Sequence, residues 1–167
     1  MRSYKDMEIA YDYQSGDLLI QYSKLRSLEG CPEHITGGFY CNENNSISSL
    51  VGGPQRVAGD YSCRWTKLTN LVGCANHIGG ALYCDHNHIT SLVGIHKIIK
   101  SCSRMIFDSE KITEGGIGLL LIENLTNISC NTEPFQIIKK YLGSGTKGMM
   151  DCRSKLISKG YSDHAKL

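Results

Sequence analysis

The sequence has no long apolar run. Its longest, residues 119–122, is far too short to cross a bilayer, so no membrane association is expected. The opening MRSYKDMEIAYDYQ lacks the apolar h-region of a secretory signal, which predicts a protein that is not secreted and stays in the cytoplasm. Charge of one sign is scarce as well. A formal net charge of +2, with 20% of residues charged, makes no electrostatic case for nucleic acid or an anionic surface. No nucleophile–base pair or paired carboxylates form a recognisable motif, so the protein is expected not to be an enzyme and to need no cofactor. GSGTKG, residues 143–148, lacks the G-x-x-x-x-G-K-[ST] phosphate-loop spacing and follows an expected helix rather than a strand; it reads as an inter-helix turn.

Cysteine, in contrast, is plentiful, at eight residues in a chain of 167. In a reducing cytoplasm that even count is not a disulfide framework. The length suits one domain with a sizeable core.

The positions of the cysteines follow a repeat. In LTNLVGCANHIGGALYCDHNHITSLVGIHKI, residues 68–98, Leu68, Leu71 and Gly73 recur as Ile89, Leu92 and Gly94 after 21 residues. Leu82, Cys84, Asn87, Ile89 and Leu92 have the spacing L-x-C-x-x-N-x-L-x-x-L, repeated by Tyr61, Cys63, Thr66, Leu68 and Leu71. The template also fits Leu18, Ile20, Ser23, Leu25 and Leu28, and, with one inserted residue, Phe39, Cys41, Asn44, Ile47 and Leu50. It weakens at Met105, Phe107, Glu110 and Ile112 and recovers at Ile128, Cys130, Glu133, Phe135 and Ile138. Six short strands at a period of 21–23 are therefore expected. Between them, glycine turns should return Ile35, Val57, Ile78 and Ile98 to the core.

Chain coils of this length close only by stacking parallel strands about 4.8 Å apart into a solenoid. Alternation along each strand turns Cys41, Cys63, Cys84 and Cys130 inward, in a column with Ile20 and Phe107. The asparagine column reads Ser23, Asn44, Thr66, Asn87, Glu110 and Glu133, which breaks any continuous amide ladder.

A single domain over 1–167 is expected, with an N-terminal cap over 1–15, a solenoid over 16–131 and a two-helix C-terminal cap over 132–167. Ile9, Tyr11 and Tyr13 alternate as in a capping strand or hairpin. Thr132 and Pro134 mark a helix start, with Phe135, Ile138 and Leu142 as its apolar stripe and Gly143 as its end. A second helix over 147–159 should bury Met149, Cys152, Leu156 and Ile157.

Over residues 18–138 these repeats resemble the leucine-rich-repeat superfamily, which implies an α/β solenoid of parallel strands. SLEGCPEHITGGFYCNENN followed by SLVGGPQRVAGDYSC, and the tail from Pro134 onward, are similar to small leucine-rich-repeat proteins of tailed bacteriophages. Bacterial effector ubiquitin ligases carry related repeats before a large helical catalytic domain. The thirty or so residues after this repeat are too few for one, and Cys152 reads as a core residue.

CDHNH, residues 84–88, invites a metal reading through Asp85, His86 and His88, but Cys84 faces inward and Asp85 outward, so no metal site is expected. His34 and His77, with Arg56 between them in the same turn column, are too far apart to share an ion. The tail over 133–167 carries seven basic residues against three acidic, yet no interleaved aromatics, and reads as a solvated helix face. The outward sheet face remains as the binding surface usual for a solenoid. Its central column holds Leu19, Tyr40, Ser62, Tyr83, Ile106 and Ser129, and the next Gln21, Asn42, Arg64, Asp85, Asp108 and Asn131. Trp65 and His86, just past the strands, extend the patch.

The expected function is a protein–protein interaction module, with a host protein as partner if the phage resemblance carries over. A structural or oligomerising protein, such as a virion component, is the alternative. Nucleic-acid binding through the basic tail is a weaker one.

Overall fold

The computed structural model describes residues 3–7 and 16–167. Apolar alternation interrupted every few residues by glycine, asparagine or serine permits only short strands. Along the chain they are β1 (Leu18–Leu19), β2 (His34–Ile35), β3 (Phe39–Tyr40), β4 (Arg56–Val57), β5 (Tyr61–Ser62) and β6 (His77–Ile78). Then follow β7 (Ala81–Tyr83), β8 (Ser91–Leu92), β9 (Arg104–Ile106), β10 (Glu114–Gly115) and β11 (Asn127–Ile128). The order β1-β3-β5-β7-β9-β11 makes one sheet, β2-β4-β6 a second and β8-β10 a third, all parallel. The molecule is a parallel-strand solenoid, as the periodicity predicts.

Register places Leu18, Phe39, Tyr61, Leu82, Met105 and Ile128 in one column, every one of them buried. The neighbouring column buries Ile20, Cys41, Cys63, Cys84 and Phe107, while Cys130 is only half-buried. All eight cysteines are free thiols, and burial pushes those of Cys41, Cys63 and Cys84 well above the ordinary thiol range. They fill space between coils rather than offering nucleophiles.

Two of the polar positions hold the coils together from inside. Asn87 Nδ2 donates to the carbonyls of Cys63 and Cys84 at 2.9 and 3.1 Å, and its Oδ1 accepts from Leu68 N at 3.0 Å and Thr66 Oγ1 at 2.7 Å. Asn44 does the same for Ile20, Cys41 and Leu25. In the fifth coil the buried polar group is Ser109, which accepts from Asn131 N, whereas Glu110 is exposed; the inward position has moved by one residue. Gly73 sets the opposite turn at φ +88, and a Cβ there would lie 2.4 Å from Val51 N of the preceding coil.

Ile98 returns only partly to the core. A helical turn, α1 (Ile95–Ile98), absorbs the extra residues of the fourth coil, leaving Ile98 partly exposed and burying Ile99 and Cys102. The β2-β4-β6 ladder then continues through the bridges His77↔Ser101 and Ser101↔Glu123.

Beyond β11 come α2 (Glu133–Lys139) and α3 (Gly145–Ser158). Phe135 and Ile138 are fully buried, and the Phe135 ring meets Phe107 edge-on with centroids 5.0 Å apart. α3 buries Cys152 and Leu156, with Met149 partly buried; Ile157 is 53% exposed, because it falls off the 149–152–156 stripe. Residues 145–148 of GSGTKG belong to α3, so the turn there is shorter than expected. The tail folds back on the last coils: Tyr161 Oη donates to Glu133 at 2.7 Å, and Lys166 pairs with Glu114 at 3.3 Å. Ile9, Tyr11 and Tyr13, the basis of the expected N-terminal cap, lie outside the described residues. Within 3–7, Ser3 bridges Ser27 and Tyr4 is buried. Among the described residues no helix is long and apolar enough to cross a membrane.

Candidate functional site

The outer face of the six-stranded sheet is set by register. Leu19, Tyr40, Ser62, Tyr83 and Ile106 align across β1, β3, β5, β7 and β9. Ser62 is 6% exposed, and the half-buried Tyr40 and Tyr83 flank it on adjacent strands. Burial first, then the carboxylates of Asp17 and Asp60 and the Tyr83 phenol, raise the Tyr40 hydroxyl, which therefore stays protonated and able to donate. The Arg64 guanidinium lies 6.0 Å from the Tyr83 ring centroid, and Arg104 Nη2 donates to Tyr83 Oη at 3.4 Å. Leu19 is exposed, Ile106 and Asn42 are partly so.

Asp85 faces this surface but is not displayed on it. At 6% exposure it is buried, because Arg64 Nε and Nη2 both donate to its Oδ2, at 3.0 and 2.8 Å, and His86 Nε2 lies 3.3 Å from the same oxygen. Its Oδ1 is buried with no hydrogen-bond partner among the described residues. Asp85 therefore holds Arg64 and His86 from beneath the surface.

The residue that follows Arg64 or Asp85 adopts left-handed backbone: Trp65 at φ 54 and His86 at φ 58, as do Tyr22 and Glu43 in the earlier coils. For a side chain with a Cβ this costs about 1–2 kcal/mol. The twist lets the next residue, Thr66 or Asn87, turn inward to its hydrogen bonds. It also throws the Trp65 and His86 rings outward side by side, stacked with centroids 3.8 Å apart and planes 9° from parallel. Both remain more than two-fifths exposed. His86 N is anchored on Asp108 Oδ2 at 2.9 Å, and Lys111 pairs with Asp108 at 2.8 Å.

Tyr40, Arg64, Trp65, Tyr83 and His86 are thus one patch, with Leu19 and Ile106 as its apolar flanks and Asp85 beneath. The residues singled out on this face do not include Arg104, which reaches Tyr83 from the first position of β9. Arg104 opens β9 two places before Ile106, so the two-residue alternation of the strand puts it on this same outer face and was the signal available for it. Among the described residues no group of three or more histidine, cysteine, aspartate or glutamate side chains is placed to hold a metal.

Comparison with known proteins adds no relative to this geometry: no family profile, curated protein or solved structure matches the chain.

Proposed function

We propose that this protein is a non-enzymatic protein-binding module that uses the outer face of its six-stranded sheet. The single observation carrying this reading is the ordered aromatic and arginine patch: two tyrosines across Ser62, a Trp65–His86 stack, and Arg64 held by Asp85. Tyrosine, tryptophan and arginine supply large contact area and directed hydrogen bonds, and side chains already held in place lose little entropy on association. We read the stack as leucine-rich-repeat-like, with α2 and α3 as its C-terminal cap. The sequence resemblance to small phage proteins favours a host cytoplasmic protein as partner, with host takeover or anti-defence as the consequence, by analogy alone.

The test is recovery of the tagged protein from a bacterial host, followed by sizing with mass detection. A single stoichiometric host protein is expected. Replacing Tyr40 and Tyr83 together by alanine should weaken that complex by at least about 2 kcal/mol without lowering the melting temperature. Undiminished binding by the double variant overturns the assignment of this face.

A second reading, self-association into a structural assembly, is favoured by one feature. Val51, Val72 and Val93 follow one another in the same turn position of successive coils, all exposed. A mass that rises with concentration, and falls when Val72 becomes serine, would support it.

A further inference from the structure

The second ladder, β2-β4-β6, bears an open groove of about 540 Å³ away from the aromatic patch. Its shape follows from two outward columns. One holds His34, Arg56 and His77, paired in register; the other, two residues on, holds Thr36, Ala58 and Gly79. Long cationic or cationisable side chains therefore stand along one side and short ones along the other. His34 and Arg56 are exposed and His77 partly so. None of the three takes part in any of the seven ion pairs formed among the described residues. His77 Nδ1 is hydrogen-bonded with the Asn76 amide oxygen, which fixes its ring. Glu33 places a carboxylate beside the same three side chains at the groove's rim, and Glu123 follows His77 in the row, two bridges on.

The geometry points to a binding site for a linear oligophosphate in this groove, with Arg56 at the centre and His34 and His77 on either side. Consecutive positions along the row are about 4.8 Å apart, so the three side chains span about 10 Å. A lone phosphate reaches Arg56 and at most one neighbour, whereas a chain of phosphates meets all three. The guanidinium offers paired N–H donors matched to phosphate oxygens; His34 adds a ring N–H, and His77, whose Nδ1–H is given to Asn76, adds one from Nε2 in its protonated form. The short column leaves room for the chain to lie along the strands' outer surface. This site is independent of the protein-binding face.

The experiment is calorimetric titration of the full chain at low salt with tripolyphosphate and, separately, orthophosphate. Tripolyphosphate should bind at least about tenfold more tightly, and Arg56→Ala should weaken it by at least about tenfold. Arg56 is exposed and forms no ion pair among the described residues, so this variant should melt with the parent. Glu33→Gln removes the rim carboxylate and should tighten binding, a gain that a damaged fold does not produce. The double Tyr40→Ala, Tyr83→Ala variant should bind tripolyphosphate unchanged. Absence of binding to the parent, equal affinity in Arg56→Ala, or weaker binding in Glu33→Gln each overturns the assignment.

Discussion

At the scale of the residue, the asparagine column separates positions that look equivalent. Asn44 and Asn87 each satisfy backbone groups of two coils, so they act as internal cross-links. Glu110, in the same sequence column, is exposed, and Ser109 takes the inward place. Replacing Asn87 by alanine leaves Leu68 N and the Cys63 and Cys84 carbonyls without that partner in a buried site. The expected loss is about 2–4 kcal/mol in urea unfolding. Glu110→Ala should change stability by less than about 0.5 kcal/mol, as a surface substitution. Equal losses in the two variants would contradict this division of roles. The same scale explains Asp85: its type and spacing suggest a contact residue, and the side chains of Arg64 and His86 turn it into a support.

At the scale of the element, the strands are too short to be stable alone, since two or three residues form few ladder bonds. Each is held by its neighbours one coil away and by a buried column behind it. The last coil has one strand neighbour, β9, and Phe135 of α2 packs back onto Phe107 of that fifth coil. His164 adds a second edge-on contact to Phe135 at 5.6 Å, so the chain end also rests on this ring. Phe135→Ala should cost about 3–5 kcal/mol and loosen α2, α3 and the tail together. Hydrogen exchange would detect this as lost protection in residues 133–165 before any change near β3 and β5. The start of α2 after Thr132 and the burial of Phe135 and Ile138 are readable locally, because a first-turn proline and a 3.6-residue period need only adjacent residues; the helix ends at Lys139, before the expected Leu142 and Gly143, and Thr132 makes no side-chain cap bond. The burial of Ile157 is not readable that way: both 156 and 157 fit an apolar stripe, and the surface α3 packs against selects one.

At the scale of the whole molecule, one continuous apolar core runs from Tyr4 to Ala165, crossing every coil. A solenoid gains its stability from neighbours, so its ends open more readily than its middle. The cysteines are placed to report this. Burial raises the Cys152 thiol in α3 to about 11, and those of the central Cys41, Cys63 and Cys84 well above their ordinary range. In native buffer a thiol reagent followed by mass spectrometry should modify Cys152 before Cys63, with Cys63 reacting only as the molecule unfolds. Simultaneous labelling would mean the ends and centre open as one unit.

The sequence alone determined the coil period, the inward columns and the face left to solvent, because a two-residue alternation and a recurrent glycine turn are written within each coil. Tyr40, Arg64, Trp65, Tyr83 and His86 were legible on that face for the same reason. The tertiary structure decided what depends on a residue about 21 positions away. It stacked Trp65 on His86, buried Asp85 under Arg64, moved the fourth-coil core position to Ile99 and Cys102, and aligned His34, Arg56 and His77 beside a column of small residues. Exposure and pairing in a solenoid are properties of adjacent coils, and a single coil does not contain its neighbour.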